Sequence, residues 1–173
     1  MTTNNAALAT RLRKLRDHGR VDKYRHDELG TNARLDTLQA AVLLAKLPHL
    51  EAWNEQRRMH AAAYDRAFAS VEGVEPIRIA EGALPVYHQY VVRLADRDGA
   101  REALDRLGIS TGVHYPVPLH RQPALEGLVP GGGFPVAERL AREVLSIPVF
   151  PELSEAQRDS VIEGVADVVD VRV

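Results

Sequence analysis

Apolar residues recur at three- and four-residue steps from Leu35 through Leu38, Val42, Leu43, Leu47, Leu50 and Trp53, and His60, Tyr64 and Phe68 carry the stripe on. That spacing predicts a helical arm of about ten turns. Pro48 is expected to kink or divide it, because proline removes an internal hydrogen bond and is tolerated in a first turn. A helix this long needs a partner, supplied by a neighbouring domain or a second subunit. Ahead of it, Leu8, Leu12 and Leu15 predict a helix over Ala6–Asp17, with Asn5 as N-cap and Gly19 as stop. Polar Val21–Thr31 reads as a loop.

After Ser70 the pattern alternates. Val74–Ile79, Tyr87–Leu94, Ile109–Tyr115 and Ser146–Phe150 read as strands, and Arg97–Leu107, Pro135–Leu145 and Ser154 to about Val168 as helices. Ser154 and Gln157 fit a capping box for the last of these. Gly131-Gly132-Gly133 reads as a flexible hinge. The fold class is therefore α/β: a long kinked helical arm (residues 1–69, with the first helix and loop) followed by a small α/β sandwich, β-β-α-β-α-β-α, over residues 70–173.

Composition narrows the chemistry. Net charge is −2, so nucleic acid exerts no global pull, and no apolar run approaches a membrane span. The basic run of Arg11, Arg13, Lys14, Arg16 and Arg20 reads as a solvated helix face. With no cysteine, thiolate metal sites and cysteine nucleophiles are excluded. The N-terminus lacks a signal-peptide core, which points to the cytoplasm. Histidines occur without HxxxH or HxH spacing, arguing against a metal site, and the glycine triplet lacks the context of a phosphate loop.

Two groups of residues remain as candidates. In GTNARLDTLQAA, Gly30–Ala41, an asparagine and an arginine stand just ahead of the long helix. The Asn32 amide suits either an N-cap or an anion, and Arg34 suits a phosphate, a partner carboxylate or plain solvent. In the second group, His114, Tyr115 and His120 lie where a strand runs into a proline-rich loop. They either pack on that loop or line a pocket. His88, in YHQY, reads as a packing residue or a pocket residue.

LRDHGR (Leu15–Arg20), GTNARLDTLQAA, LPHLEAWNEQRR (Leu47–Arg58), VHYPVPLH (Val113–His120) and FPVAERLAREVLSIPVFPELSEAQ (Phe134–Gln157) together resemble, in order and spacing, the C-terminal half of the DegT/DnrJ/EryC1/StrS family of sugar aminotransferases. The resemblance implies the small domain of fold-type I aminotransferases and pyridoxal phosphate as cofactor. It also implies a homodimer, or pairing with a large-domain chain, with a nucleotide-linked keto-sugar and an amino-acid donor as substrates. It matches Asn32 to the asparagine that reaches the partner subunit's cofactor phosphate, and it sets the His114–His120 loop over the substrate.

The lysine that forms the Schiff base belongs to the family's large domain. The chain's three lysines, Lys14, Lys23 and Lys46, read as solvated surface residues. The expectation is a chain inactive by itself: half of a sugar aminotransferase complemented in trans or truncated. The alternatives are a catalytically silent dimerisation module and a relative of the family's dehydratase branch.

Overall fold

A computed structural model describes residues 1–129 and 133–170, so Gly131 and Gly132 of the expected hinge lie outside the described residues. The chain divides into two compact units, Met1–His49 and Leu50–Val173. The second half of the long helix buries His60, Ala61, Tyr64 and Phe68, and its tyrosine and phenylalanine belong to the second unit's core.

In the first unit, helix α1 (Ala6–Leu15) starts at Asn5, whose side chain accepts a hydrogen bond from the Leu8 amide. Its end is unusual. His18 and Gly19 both take positive φ, 59° and 72°, and reverse the chain. The Glu28–Gly30 segment then crosses this reversal at backbone contact. A β-carbon on Gly19 would lie 1.7 Å from the Glu28 carbonyl oxygen, and one on Gly30 would lie 2.3 Å from the Gly19 amide nitrogen. An antiparallel bridge between Asp17 and Asn32 closes the crossing. Helix α2 (Thr37–Lys46) follows from Asp36 and buries none of its residues.

A single 3₁₀ turn, Leu47–His49, interrupts the helical path at Pro48, and helix α3 runs over Leu50–Phe68.

In the second unit the strands are shorter than the alternation suggested. β1 (Glu75–Pro76), β2 (Tyr90–Arg93) and β3 (Val144–Ile147) form one antiparallel sheet in that order, with Tyr90 opposite Ile147 and Arg93 opposite both Val144 and Glu75. Helices α4 (Arg97–Arg106), α5 (Pro135–Glu143) and α6 (Glu155–Asp170) complete it. The expected strand over residues 109–115 is reduced to one bridge, Gly112 to Ser146. Two features cut it short. The Ile109 amide is still bonded to the Leu104 carbonyl at the end of α4, and Pro116 and Pro118 lack the N–H groups a ladder needs.

The fourth expected strand starts two residues early, because Val144, Leu145, Ser146 and Ile147 are all buried and end α5 at Glu143. Arg93 pins that junction. Its guanidinium meets Glu143 at 2.7 Å and Glu75 at 2.6 Å, tying β1 and β2 to the end of α5.

The core gathers Tyr64 and Phe68 from α3, Leu104 from α4, Val161 and Val165 from α6, and Val92 and Leu145 from the sheet. The Tyr64 hydroxyl donates to the Pro148 carbonyl at 2.8 Å, and that of Tyr90 donates to Asp65 at 2.6 Å. Burial pushes both phenols well above their ordinary pKa, with the Asp65 bond adding to the effect at Tyr90. The Ser154–Gln157 capping box forms in both directions, at 3.0 and 3.2 Å. Among the described residues, no helix is long and apolar enough to cross a membrane.

Candidate functional site

The structure sorts the candidate residues into three places. Asn32 and Arg34 lie in the first unit, His114, Tyr115 and His120 around one groove of the second, and His88 beside a different cavity.

Asn32 is not the cap of the long helix. Asp36 holds that position, and Asn32 stands five residues before the first helical residue. It is fixed instead by the crossing under α1. The amides of His18 and Ala33 donate to Thr31 and Arg16 on either side of it. Arg34 points back rather than outward. Its Nη1 meets Asp17 at 3.2 Å and its Nε donates to the Asn32 side-chain oxygen at 3.3 Å. Asp17 also takes Arg20 at 2.6 Å. With its oxygen turned to Arg34, the Asn32 amide presents its NH₂ as the remaining polar end, a donor. Asp17 was missed in sequence. Its only signal was its place in LRDHGR, a motif that folds against GTNAR.

The basic run is largely neutralised. Arg11 and Lys14 pair with Glu28 at 3.3 and 3.2 Å, and Lys14 also approaches Asp27 at 3.8 Å.

The groove in the second unit encloses about 840 Å³ between the proline-rich loop and α5. His114, Tyr115, Pro116, Val117, Leu119 and His120 form the loop side, and Phe134, Ala137, Leu140 and Ala141 the helix side. The His114 Nδ1 lies 2.9 Å from the Ser146 hydroxyl, and its ring meets Tyr115 edge-on at 5.6 Å. Tyr115 is three-quarters exposed at the rim. On the other side, the His120 Nε2 donates to Glu138 at 2.8 Å while its ring packs on Phe134 at 4.7 Å. Arg121 reaches the same carboxylate oxygen at 3.1 Å. Hydrogen bonds from His120 first, then Arg121, hold the Glu138 carboxyl below its ordinary pKa. The walls are thus mostly apolar, with two imidazoles and a phenol set along one side, suited to an extended ligand carrying a few oxygens.

His88 does not join them. It is exposed, precedes β2 rather than sitting within a strand, and borders a smaller cavity of about 340 Å³ with Asp65, Tyr87 and Tyr90. The expectation that strand neighbours flank it is corrected. β2 begins only at Tyr90, since Tyr90 is the first residue to pair with β3. Ser146, Glu138 and Phe134 were missed as site residues. Each lies far in sequence from the loop it supports.

A sequence profile describing the DegT/DnrJ/EryC1/StrS aminotransferase family matches residues 1–166. The chain belongs to that family. A "pleiotropic regulatory protein" of Geobacillus stearothermophilus is 46% identical over 169 residues, covering 95% of this chain and 45% of that protein. A dTDP-3-amino-3,4,6-trideoxy-alpha-D-glucose transaminase of Streptomyces venezuelae is 44% identical over 168 residues, covering 96% of this chain and 44% of that protein. The crystal structure of S. venezuelae DesV in complex with a ketimine intermediate superposes with a TM-score of 0.92 at 44% identity. The match covers 99% of this chain and 46% of that one. The chain therefore spans less than half the length of these relatives.

For a family of aminotransferases, the placement of the lysines matters. Lys14 is held by Glu28 and Asp27, Lys23 lies 5.2 Å over the exposed Tyr24 ring, and Lys46 is exposed at the end of α2. Lys23 and Lys46 are exposed, and Lys14 is half-buried within its ion pairs. Among the described residues, no cluster of three or more histidine, aspartate or glutamate side chains suits a metal ion.

Proposed function

We propose that these 173 residues are the C-terminal part of a pyridoxal-phosphate-dependent aminotransferase acting on nucleotide-linked keto-sugars, and that the reactive lysine is supplied from outside them. The observation that carries the reading is the groove. It gathers His114, Tyr115 and His120, three of the residues the family pattern sets over the substrate, on one wall. In this reading His114 and Tyr115 bond the sugar's oxygens, and His120, anchored by Glu138, braces the loop. Helices α4, α5 and α6 with the sheet are read as the small sandwich of the fold-type I class, and Leu35–Phe68 as its kinked interface arm. His88, off the groove, is assigned to the edge of the substrate region.

The cofactor supplies the electron sink for amino-group transfer when bound. Of its two ends, the residues here suit only one. The Asn32 NH₂ is a donor fit for the phosphate of a cofactor held mainly by another subunit, with Arg34 keeping the amide oriented. No lysine here suits the carbonyl end, so no chemical step is assigned to this chain.

Two measurements test the proposal. Titrating a dTDP- or UDP-sugar into the isotope-labelled chain is expected to shift the resonances of His114, Tyr115 and His120. A titration that leaves all three unmoved sinks the groove reading. Mixing the chain with a large-domain polypeptide of a family member and pyridoxal phosphate is expected to restore transamination, with Asn32→Ala weakening cofactor retention by roughly tenfold, the worth of one hydrogen bond to a charged group.

A further inference from the structure

Ser146 and Gly112 are joined twice, by the Gly112 amide to the Ser146 carbonyl at 2.9 Å and the Ser146 amide to the Gly112 carbonyl at 2.7 Å. This bridge lies directly behind His114. Ser146 is buried, 8% exposed, in the all-buried strand β3, and its hydroxyl meets the His114 Nδ1 at 2.9 Å. Gly112 lies under the same ring. A β-carbon there would come within 2.6 Å of the imidazole Cε1 and 3.3 Å of Nδ1. The ring thus occupies space that only glycine leaves open, and one of its nitrogens is claimed from behind.

The direction of that hydrogen bond follows from what the hydroxyl needs. A buried hydroxyl proton without an acceptor costs on the order of 1–3 kcal/mol, and among the described residues His114 Nδ1 is the acceptor that Ser146 Oγ has. Were the ring to donate instead, the serine proton would have no protein acceptor among the described residues. The favoured arrangement has Oγ–H donating to Nδ1, which puts the imidazole's own proton on Nε2.

We propose that Ser146 and Gly112 are positioning residues that lock His114 as its Nε2–H tautomer, making it a hydrogen-bond donor into the groove. The ligand atom opposite it is then an acceptor: a carbonyl, ether, hydroxyl or phosphate oxygen. This deepens the reading of the groove as a substrate site and rests on it only for the ligand's identity. The lock itself is a property of the free chain.

The test is therefore made without ligand. In ¹⁵N-detected histidine spectra of the full 173-residue chain near neutral pH, the Nε2–H form of His114 is expected to exceed the Nδ1–H form by roughly tenfold, the worth of one hydrogen bond. Ser146→Ala is expected to move the Nδ1 resonance towards the position of an unbonded nitrogen, and Ser146→Thr, which keeps the hydroxyl, to restore it. A merely structural role for Ser146 would leave that resonance in place.

A dominant Nδ1–H form in the wild type, or an Nδ1 signal indifferent to Ser146→Ala, overturns the proposal. Gly112→Ala is expected to displace the ring and lose the Ser146 signature. Should that variant fail to fold, the alanine and threonine pair at Ser146 still decides the question. If the tautomer result holds while nucleotide sugars leave His114 unmoved, the lock stands and the substrate reading falls.

Discussion

Gly30 shows how little freedom a single position can have. A methyl group there meets the Gly19 amide at 2.3 Å, the Leu15 carbonyl at 2.5 Å and the His18 carbonyl carbon at 2.7 Å, all backbone atoms unable to swing aside. Gly30→Ala is expected to destabilise the first unit by more than about 2 kcal/mol, since overpacking against rigid neighbours costs on that order. Amide exchange of the first unit is expected to accelerate while the core around Tyr64 and Leu145 keeps its protection. Uniform protection in both units would refute the expectation.

The glycine was visible in sequence as the first residue of a motif. What it touches was not, because its neighbours lie in a second motif more than ten residues earlier, and nothing in local periodicity reports a crossing of two backbones. The same limit applies to Asn32. As an amide it was legible as a donor or a cap. That it turns its oxygen to Arg34, which in turn leans on Asp17, is a three-residue arrangement that spacing along one chain does not encode.

Among the elements, helices were more legible than strands. The 3.6-residue periodicity of α3 and the caps of α1 and α6 are local properties, and the structure has them where the sequence placed them. Strands are defined by partners. Residues 109–115 carry the composition of a strand yet make one bridge, because α4's end holds one side and prolines close the other.

The loop-to-helix latch at Glu138 is also an element-level device, since it fastens the His120 turn to the first turn of α5. Its pH dependence has a definite sign. Folding lowers the Glu138 pKa beneath its ordinary 4.5, so the latch contributes fully above that value. Its contribution is lost as the pH falls through the lower folded value. His120 resonances are expected to report loosening in acid, and Glu138→Gln to abolish that particular transition. A transition of the same midpoint in the glutamine variant would show that another group is responsible.

At the scale of the whole molecule, α2 stands out. Leu38 is 79% exposed and Leu44 68%, with Val42, Leu43 and Leu47 all more than half exposed. A contiguous apolar surface of this kind ordinarily marks an interface. Sedimentation of the chain at micromolar concentration is expected to show self-association, and replacing Leu38 and Leu44 together by glutamate to reduce it at least tenfold, given about 1.5–3 kcal/mol for each buried leucine. A clean monomer at that concentration would count against α2 as a self-association surface. The sequence stripe announced that this helix required a partner. It gave no means of telling which residues would find theirs within the chain, as Tyr64 and Phe68 do, and which would not.

The crossing of Glu28–Gly30 beneath the His18–Gly19 reversal has a consequence for anyone who would transplant this site. Asn32 takes its position from the end of α1, through the Asp17 bridge and the bonds to Leu15 and Arg16, and hardly at all from the helix it precedes. A graft that carries GTNAR and the long helix into a new scaffold would leave behind the part that aims the amide. The transferable module begins at the last turn of α1 and runs through the crossing to Arg34.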